Sequence, residues 1–453
     1  MKNTLLFVLL LSLDCVPLQS QSLADNCVVT RCNKYRIIEI NDYTFKKLLD
    51  EGINTLALQL DVLHVPIRQF KPIIKWHIKR HRFELNKGKN RLKKTTFRAI
   101  AFEYPSASPF GDTIMLSGLV TIPILNDNMP ANIFVYHRIM ASSYKIAPSN
   151  SIPLESVLTA DNTICVFPDY YGCGITEGEP FAYTALNYHA RCATECILTA
   201  LNIIKDEGIE LDDNYFTWNA GYSQGGGYAL ATHRYIETSL PDSLSALINL
   251  KWSLCGGGIY SPVELFKSVL TKGDMGSTPA VYLKGLQSIL YIHKECLGEI
   301  QMSDYFSCEA LDMKLDSLLL DHDESLWEVI DGHNIIVEKQ DPHYYFSNML
   351  LDTNSYLFKS TTTALKLDDC VTGWHPRSTV VFYHSRRDNT IPYQQTLEAY
   401  SMLTENNGNC FLYTPGINGS HVQTCALFFA KLLRLREDKL FKKYTKSKHN
   451  NHE

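Results

Sequence analysis

From residue 99 onward, short apolar runs alternate with longer segments whose apolar residues recur every three or four positions. TIMLSGLVTIP (113–123), ANIFVYH (131–137), TICVFPDY (163–170) and YFTWNA (215–220) read as strands. ALNYHARCATECILTALNII (185–204) and YALATHRYIE (228–237) carry helical spacing. SALINLKWSLCGGG (245–258) reads as a further strand ending in a glycine run. STVVFYH (378–384) and NCFLYTP (409–415) are two later strands, each followed by a loop and a helical segment. Strands alternating with helices predict an α/β fold with a mainly parallel sheet covered on both faces. Residues 33–98 lack this rhythm and alternate helical-looking with basic segments. Residues 258–370 also break it: they are helical, rich in Leu, Tyr and acidic residues, and interrupt two sheet strands. That placement predicts a helical cap over one end of the sheet.

Composition narrows the picture. The chain has 453 residues, 45% hydrophobic and 20% charged, enough for one large domain or two medium ones. A net charge of -5 gives no reason to expect a nucleic-acid partner. The strongest charge run, KPIIKWHIKRHRFELNKGKNRLKK (71–94), reads as a solvated surface segment; the sharper reading is a patch for an anionic surface or substrate. His77 and His81 stand four apart within it but lack a third nearby ligand, and DHDE (321–324) lacks the spacing and glycine of a calcium loop. Both read as solvated polar residues. No metal or cofactor is expected.

The N-terminus, MKNTLLFVLLLSLDC, has Lys2 ahead of the apolar stretch Leu5–Leu13, too short to span a bilayer but suited to a signal peptide. SLA (22–24) offers the small residues of a cleavage site. The expectation is an exported protein, secreted or periplasmic, with lipid anchoring at Cys15 as the lesser alternative. Export permits disulfides, and Cys27 and Cys32 are close enough to bridge, whereas Cys192 and Cys196 read as two small core residues on one helix.

The chemistry centres on GYSQGG (221–226), between the strand YFTWNA and a helix. A serine hydroxyl needs an adjacent base to act as a nucleophile, and a G-x-S-x-G turn holds it clear of the backbone on a sharp strand-to-helix bend. Ser223 as nucleophile requires an acid and then a histidine downstream, each after its own strand. SRRDNTIP follows STVVFYH and offers Asp388; GINGSH follows NCFLYTP and offers His421. The backbone N–H of Gln224 is the first expected oxyanion donor, and that of Arg138 or Ile139, after ANIFVYH, the second. Asn418-Gly419-Ser420 is also a glycosylation acceptor directly before His421, where a glycan would crowd the base.

With these segments in place, the chain resembles the α/β-hydrolase superfamily, and within it the secreted lipase/esterase-like branch with a large cap. The similarity runs through FEYPSASPFGDTIMLSGLVTIP, VYHRIMASSYKIAPSN, FPDYYGCGITEG, GYSQGGGYALATHR, FYHSRRDNTIPYQQT and GSHVQTCALFFAKLL. It covers about residues 100–257 and 370–436, the remainder matching loosely. Such relatives generally carry glycine after the histidine of the oxyanion loop, where this chain has the larger Arg138. The chain then divides into a signal peptide (1–24), an N-terminal segment on the core (25–98), core halves at 99–257 and 371–440 around a cap (258–370), and a polar tail (441–453), all as expectations. The resemblance implies carboxylic ester hydrolysis with a small-molecule or lipid ester as partner and transient contact with a lipid surface. A peptidase with the same three residues, and a non-catalytic binding protein on this scaffold, are the competing readings.

Overall fold

The computed structural model describes residues 34–62, 96–124, 130, 132–139, 146–276, 279–299, 301–315, 339–405, 407–416 and 418–434. The signal-peptide expectation, Cys15, Cys27 and Cys32, the basic run with His77 and His81, and the DHDE segment lie outside the described residues.

Nine strands form one sheet in the order β1-β2-β3-β5-β4-β6-β7-β8-β9. They are β1 (Arg36–Thr44), β2 (Thr96–Ala107), β3 (Thr113–Ile124), β4 (Asn132–His137), β5 (Thr163–Pro168), β6 (Phe216–Tyr222), β7 (Leu250–Gly256), β8 (Thr379–Tyr383) and β9 (Cys410–Tyr413). The first three pair antiparallel with one another, and β3 pairs antiparallel with β5. From β5 to β9 every pairing is parallel. Every residue of β4 and β5 is buried, because helices cover both faces of a parallel sheet and leave no solvent side for polar alternation. The described helices used below are α1 (Phe45–Val62), α2 (Leu186–Asp206), α3 (Gln224–Thr238), α4 (Asp242–Ile248), α5 (Pro262–Lys272), α6 (Ala280–Ile292), α7 (Tyr356–Lys366), α8 (Tyr393–Glu405) and α9 (His421–Arg434).

Three features differ from the sequence reading. The segment read as helical and basic contains edge strand β1, whose mostly exposed residues show no alternating apolar pattern. The sheet then continues into β2, where Pro105 lacks an N–H for the ladder. Pro105 lies past Glu103, the last residue that pairs with β1, and is paired only on its other side, with Met115 of β3. The predicted strand 245–258 opens as the last turn of α4. Asn249, at φ 53°, ends that helix in the left-handed region, and β7 starts one residue later.

The core lies on both faces of the sheet. On one face Trp218 of β6 stacks on Phe134 of β4 at 4.0 Å and on Trp252 of β7 at 4.7 Å, joining the strands that surround the motif. On the other, α2 and α3 bury their apolar faces. Cys192 and Cys196 are buried and unbridged in α2. The helices between β7 and β8 build a separate apolar cluster around Leu283, Leu286, Tyr305, Phe346 and Leu357. The chain returns from them to the sheet through Glu237 of α3. Its carboxylate accepts from His233 Nε2 at 3.2 Å, from the Arg377 and Ser378 backbone N–H groups, and from the Trp374 indole. Burial acts to raise the Glu237 pKa, but these donors outweigh it and hold it down to about 2 from 4.5.

A carboxyl group with a depressed folded-state pKa stabilises the fold above its unfolded value, and that contribution fades as pH falls towards the folded value. Glu237→Gln is therefore expected to lower stability at pH 7 and to remove part of the acid-induced loss between about pH 4.5 and about 2. Urea denaturation of both proteins across that interval checks it; parallel stability–pH curves would contradict the assignment.

Candidate active site

Strand β6 ends at Tyr222, helix α3 begins at Gln224, and Ser223 alone makes the bend. Its backbone stands at φ 58° and ψ -124°, a conformation that non-glycine residues rarely adopt. The bend is held on both sides: Ser223 N–H donates to Gly256 O at 2.8 Å, and Ser223 O accepts from Gly226 N–H at 2.9 Å. The bend also brings α3 against the end of β4. A methyl group at Gly225 would overlap the carbonyl oxygen of His137 and lie 2.6 Å from that of Arg138. Glycine is needed there for close approach, which sets the Arg138–Ile139 loop beside the serine.

The three residues that the sequence places after separate strands form one hydrogen-bonded chain. Ser223 Oγ lies 2.8 Å from His421 Nε2, and His421 Nδ1 lies 2.6 Å from Asp388 Oδ2. A carboxylate only accepts, so His421 carries its hydrogen on Nδ1 and leaves Nε2 to accept the serine proton. His421 is the first residue of α9, and its backbone is held twice: Tyr222 Oη donates to its carbonyl at 2.8 Å, and its N–H donates to Asn389 Oδ1. The Asp388 side chain is wholly buried. Its Oδ1 accepts the backbone N–H groups of Thr390 and Ile391 at 2.9 and 2.8 Å. Burial acts to raise the Asp388 pKa, but hydrogen bonds from His384 and His421 outweigh it and hold the carboxyl well below its ordinary range.

Sequence reasoning missed two members of this arrangement. Tyr222 stands inside the serine motif, and His384 is the last residue of the predicted strand STVVFYH. His384 donates from Nε2 to the same Asp388 oxygen at 3.1 Å. Its position four residues before the acid was the available signal.

The two residues after β4 part in direction. Ile139 packs against the Trp218 cluster. Arg138 is buried, with its guanidinium carbon 5.5 Å from the Tyr170 ring centre, and its carbonyl accepts from Tyr170 Oη at 2.6 Å. The side chain that stands in place of glycine is thus taken up by the tyrosine layer beside α3. Gln224 is fixed by a hydrogen bond from its side-chain amide to Tyr228 Oη at 2.7 Å. As the first residue of α3, its backbone N–H lies among those that a helix leaves unpaired. Between the sheet and the inserted helices lies an open apolar hollow lined by Tyr183, Ile259, Leu265, Val281, Leu286 and Phe346 among others. Among the described residues no cluster of three metal-ligating side chains occurs, and no helix is long and apolar enough to cross a membrane.

No protein-family model matches the chain, and no curated protein matches it by sequence. Solved structures do. The rice cell wall degrading esterase LipA from Xanthomonas oryzae superposes with a TM-score of 0.66 at 15% identity, covering 90% of this chain and 98% of that one. A Legionella pneumophila protein assigned as a hydrolase gives 0.67 at 16% identity, covering 92% and 98%. Candida antarctica lipase A gives 0.53 at 14% identity, covering 79% and 81%. The chain has the α/β-hydrolase fold. In that fold the residues between β7 and β8 form an insertion between two sheet strands, and Ser223 stands on a strand-to-helix bend.

Gly225→Ala is expected to destabilise the protein by about 1–3 kcal/mol, the usual cost of forcing a methyl group into a packed site. Chemical denaturation measures it. An unchanged midpoint would mean that the contact with the His137 carbonyl relaxes freely.

Proposed function

We propose that this protein is an exported serine hydrolase that cleaves carboxylic esters. The observation that carries the reading is the hydrogen-bonded chain Ser223–His421–Asp388, with the serine on a strained elbow. Ser223 Oγ attacks the acyl carbon while His421 Nε2 takes its proton. Asp388 keeps the imidazole in the required tautomer and stabilises the imidazolium that forms. The Gln224 N–H, with that of Arg138 or Ile139, receives the negative charge that develops on the carbonyl oxygen. Collapse expels the alcohol, which His421 protonates. Water, activated by the same nitrogen, then hydrolyses the acyl-enzyme and returns Ser223 to its free form.

Esters are favoured over amides by the structural neighbours: LipA is an esterase and the Candida antarctica protein a lipase, and both share this fold. The exported location rests on the N-terminal apolar run alone.

A fluorophosphonate probe should label the native protein and fail to label Ser223→Ala. Ser223→Ala and His421→Ala should each lower kcat for a p-nitrophenyl ester by on the order of 10⁴-fold or more. A folded native protein that takes up no probe would rule the reading out. Turnover of aminoacyl anilides in preference to p-nitrophenyl esters would move the assignment to a peptidase.

A further inference from the structure

We propose that His384 is a positioning residue for the Ser223–His421–Asp388 relay: it donates a second imidazole N–H to the Asp388 oxygen that His421 uses, and thereby sets both the orientation of that carboxylate and the share of its charge that faces His421. The inference rests on the serine-hydrolase reading and deepens it.

The geometry is closed on every side. A carboxylate offers about four lone-pair directions, and Asp388 has four donors: Thr390 and Ile391 on Oδ1, His421 and His384 on Oδ2. His384 is fully buried at the end of β8. Its Nδ1 lies 2.6 Å from Thr396 Oγ1 on α8, and the Tyr393 ring stands edge-on to the imidazole at 5.6 Å. The acceptor-only carboxylate requires the hydrogen on Nε2, so the Thr396 hydroxyl donates to Nδ1 and fixes the tautomer. Thr396, His384, Asp388, His421 and Ser223 therefore form one continuous run of hydrogen bonds from α8 to the elbow.

A shared donor has a directional consequence. Part of the Asp388 charge is taken up by His384, leaving less to stabilise the His421 imidazolium. Removing His384 concentrates that charge on His421 and strengthens its hold on the proton that Nε2 takes from Ser223. The other titratable groups that face the relay add no charge near neutrality. Burial raises the hydroxyl pKa values of Tyr222, Tyr260 and Tyr282 and lifts the Cys425 thiol to about 12, while Arg386 and Arg387 on the Asp388 loop are exposed.

The test uses the full chain and a p-nitrophenyl ester. His384→Leu should lower kcat by about 10- to 100-fold, the worth of one hydrogen bond to a charged group, with little change in KM. The acid limb of its kcat/KM profile should move up by about half to one pH unit. His384→Gln, whose amide can still donate to Asp388, should stay within about fivefold of native with its limb near the native position. In an Asp388→Asn background, His384→Leu should cost little more, because its effect runs through the carboxylate. Equal losses in the Leu and Gln variants with an unmoved limb would overturn the proposal, as would an undiminished His384→Leu loss in the Asp388→Asn background. If His384→Leu does not fold, His384→Phe serves instead: it keeps a buried ring but donates nothing to Asp388, should move the limb in the same direction, and an unmoved limb overturns the proposal. Fluorophosphonate labelling keeps the two readings apart. Labelling at Ser223 with native-like His384→Leu kinetics defeats only the role of His384, and no labelling of the native protein defeats both.

Discussion

The arrangement depends on one close approach between backbones. At Gly225 the first turn of α3 lies against the carbonyl oxygens of His137 and Arg138, with no room for a side chain. That contact joins β4, β6 and α3 within a few residues. It also holds Ser223 in its strained conformation, because the serine cannot relax without lifting α3 off β4. The strain is sustained by the Ser223 N–H bond to Gly256, which brings in β7 as well. One packing constraint therefore aims the hydroxyl, exposes the N-terminal amides of α3 and sets the Arg138–Ile139 loop beside them.

The second constraint is electrostatic. A buried carboxylate is costly unless fully hydrogen-bonded, and Asp388 meets that requirement with two backbone amides and two imidazoles. The donors come from its own loop, from β8 and from α9, so satisfying one charge ties three elements together. The Tyr222 bond to the His421 carbonyl closes the circuit back to the elbow. The chain from Asp388 to Ser223 is thus a by-product of how this fold keeps one charge out of water.

The helices inserted between β7 and β8 are joined to this centre differently. Their apolar cluster is their own, and their return to the sheet is fastened by Glu237, which binds the Arg377–Ser378 backbone. The hollow beneath them is lined from both sides, by Tyr183 and Ile259 of the core and by helices α5, α6 and α7. Its outline can therefore vary with the inserted sequence while the hydrogen-bonded relay stays with the sheet and the loops that follow its strands.

Sequence alone determined β3 to β9, most of them short apolar runs, and β4 and β5 most clearly, because burial on both faces leaves a run with no polar alternation. It also placed Ser223, Asp388 and His421, since each follows such a strand and the elbow glycines mark the bend. It left β1 and most of β2 obscure, because an exposed edge strand and a strand with Pro105 carry no clear period. It took the end of α4 into β7, since one left-handed asparagine is a weak stop signal. Only the tertiary structure decided where the Arg138 side chain goes, that Tyr222 holds the His421 backbone, and that a second imidazole shares the Asp388 oxygen. Those are meetings between residues far apart along the chain. Local pattern records burial and periodicity, whereas contacts such as Tyr222 with His421 exist only after the sheet has brought the ends of its strands together.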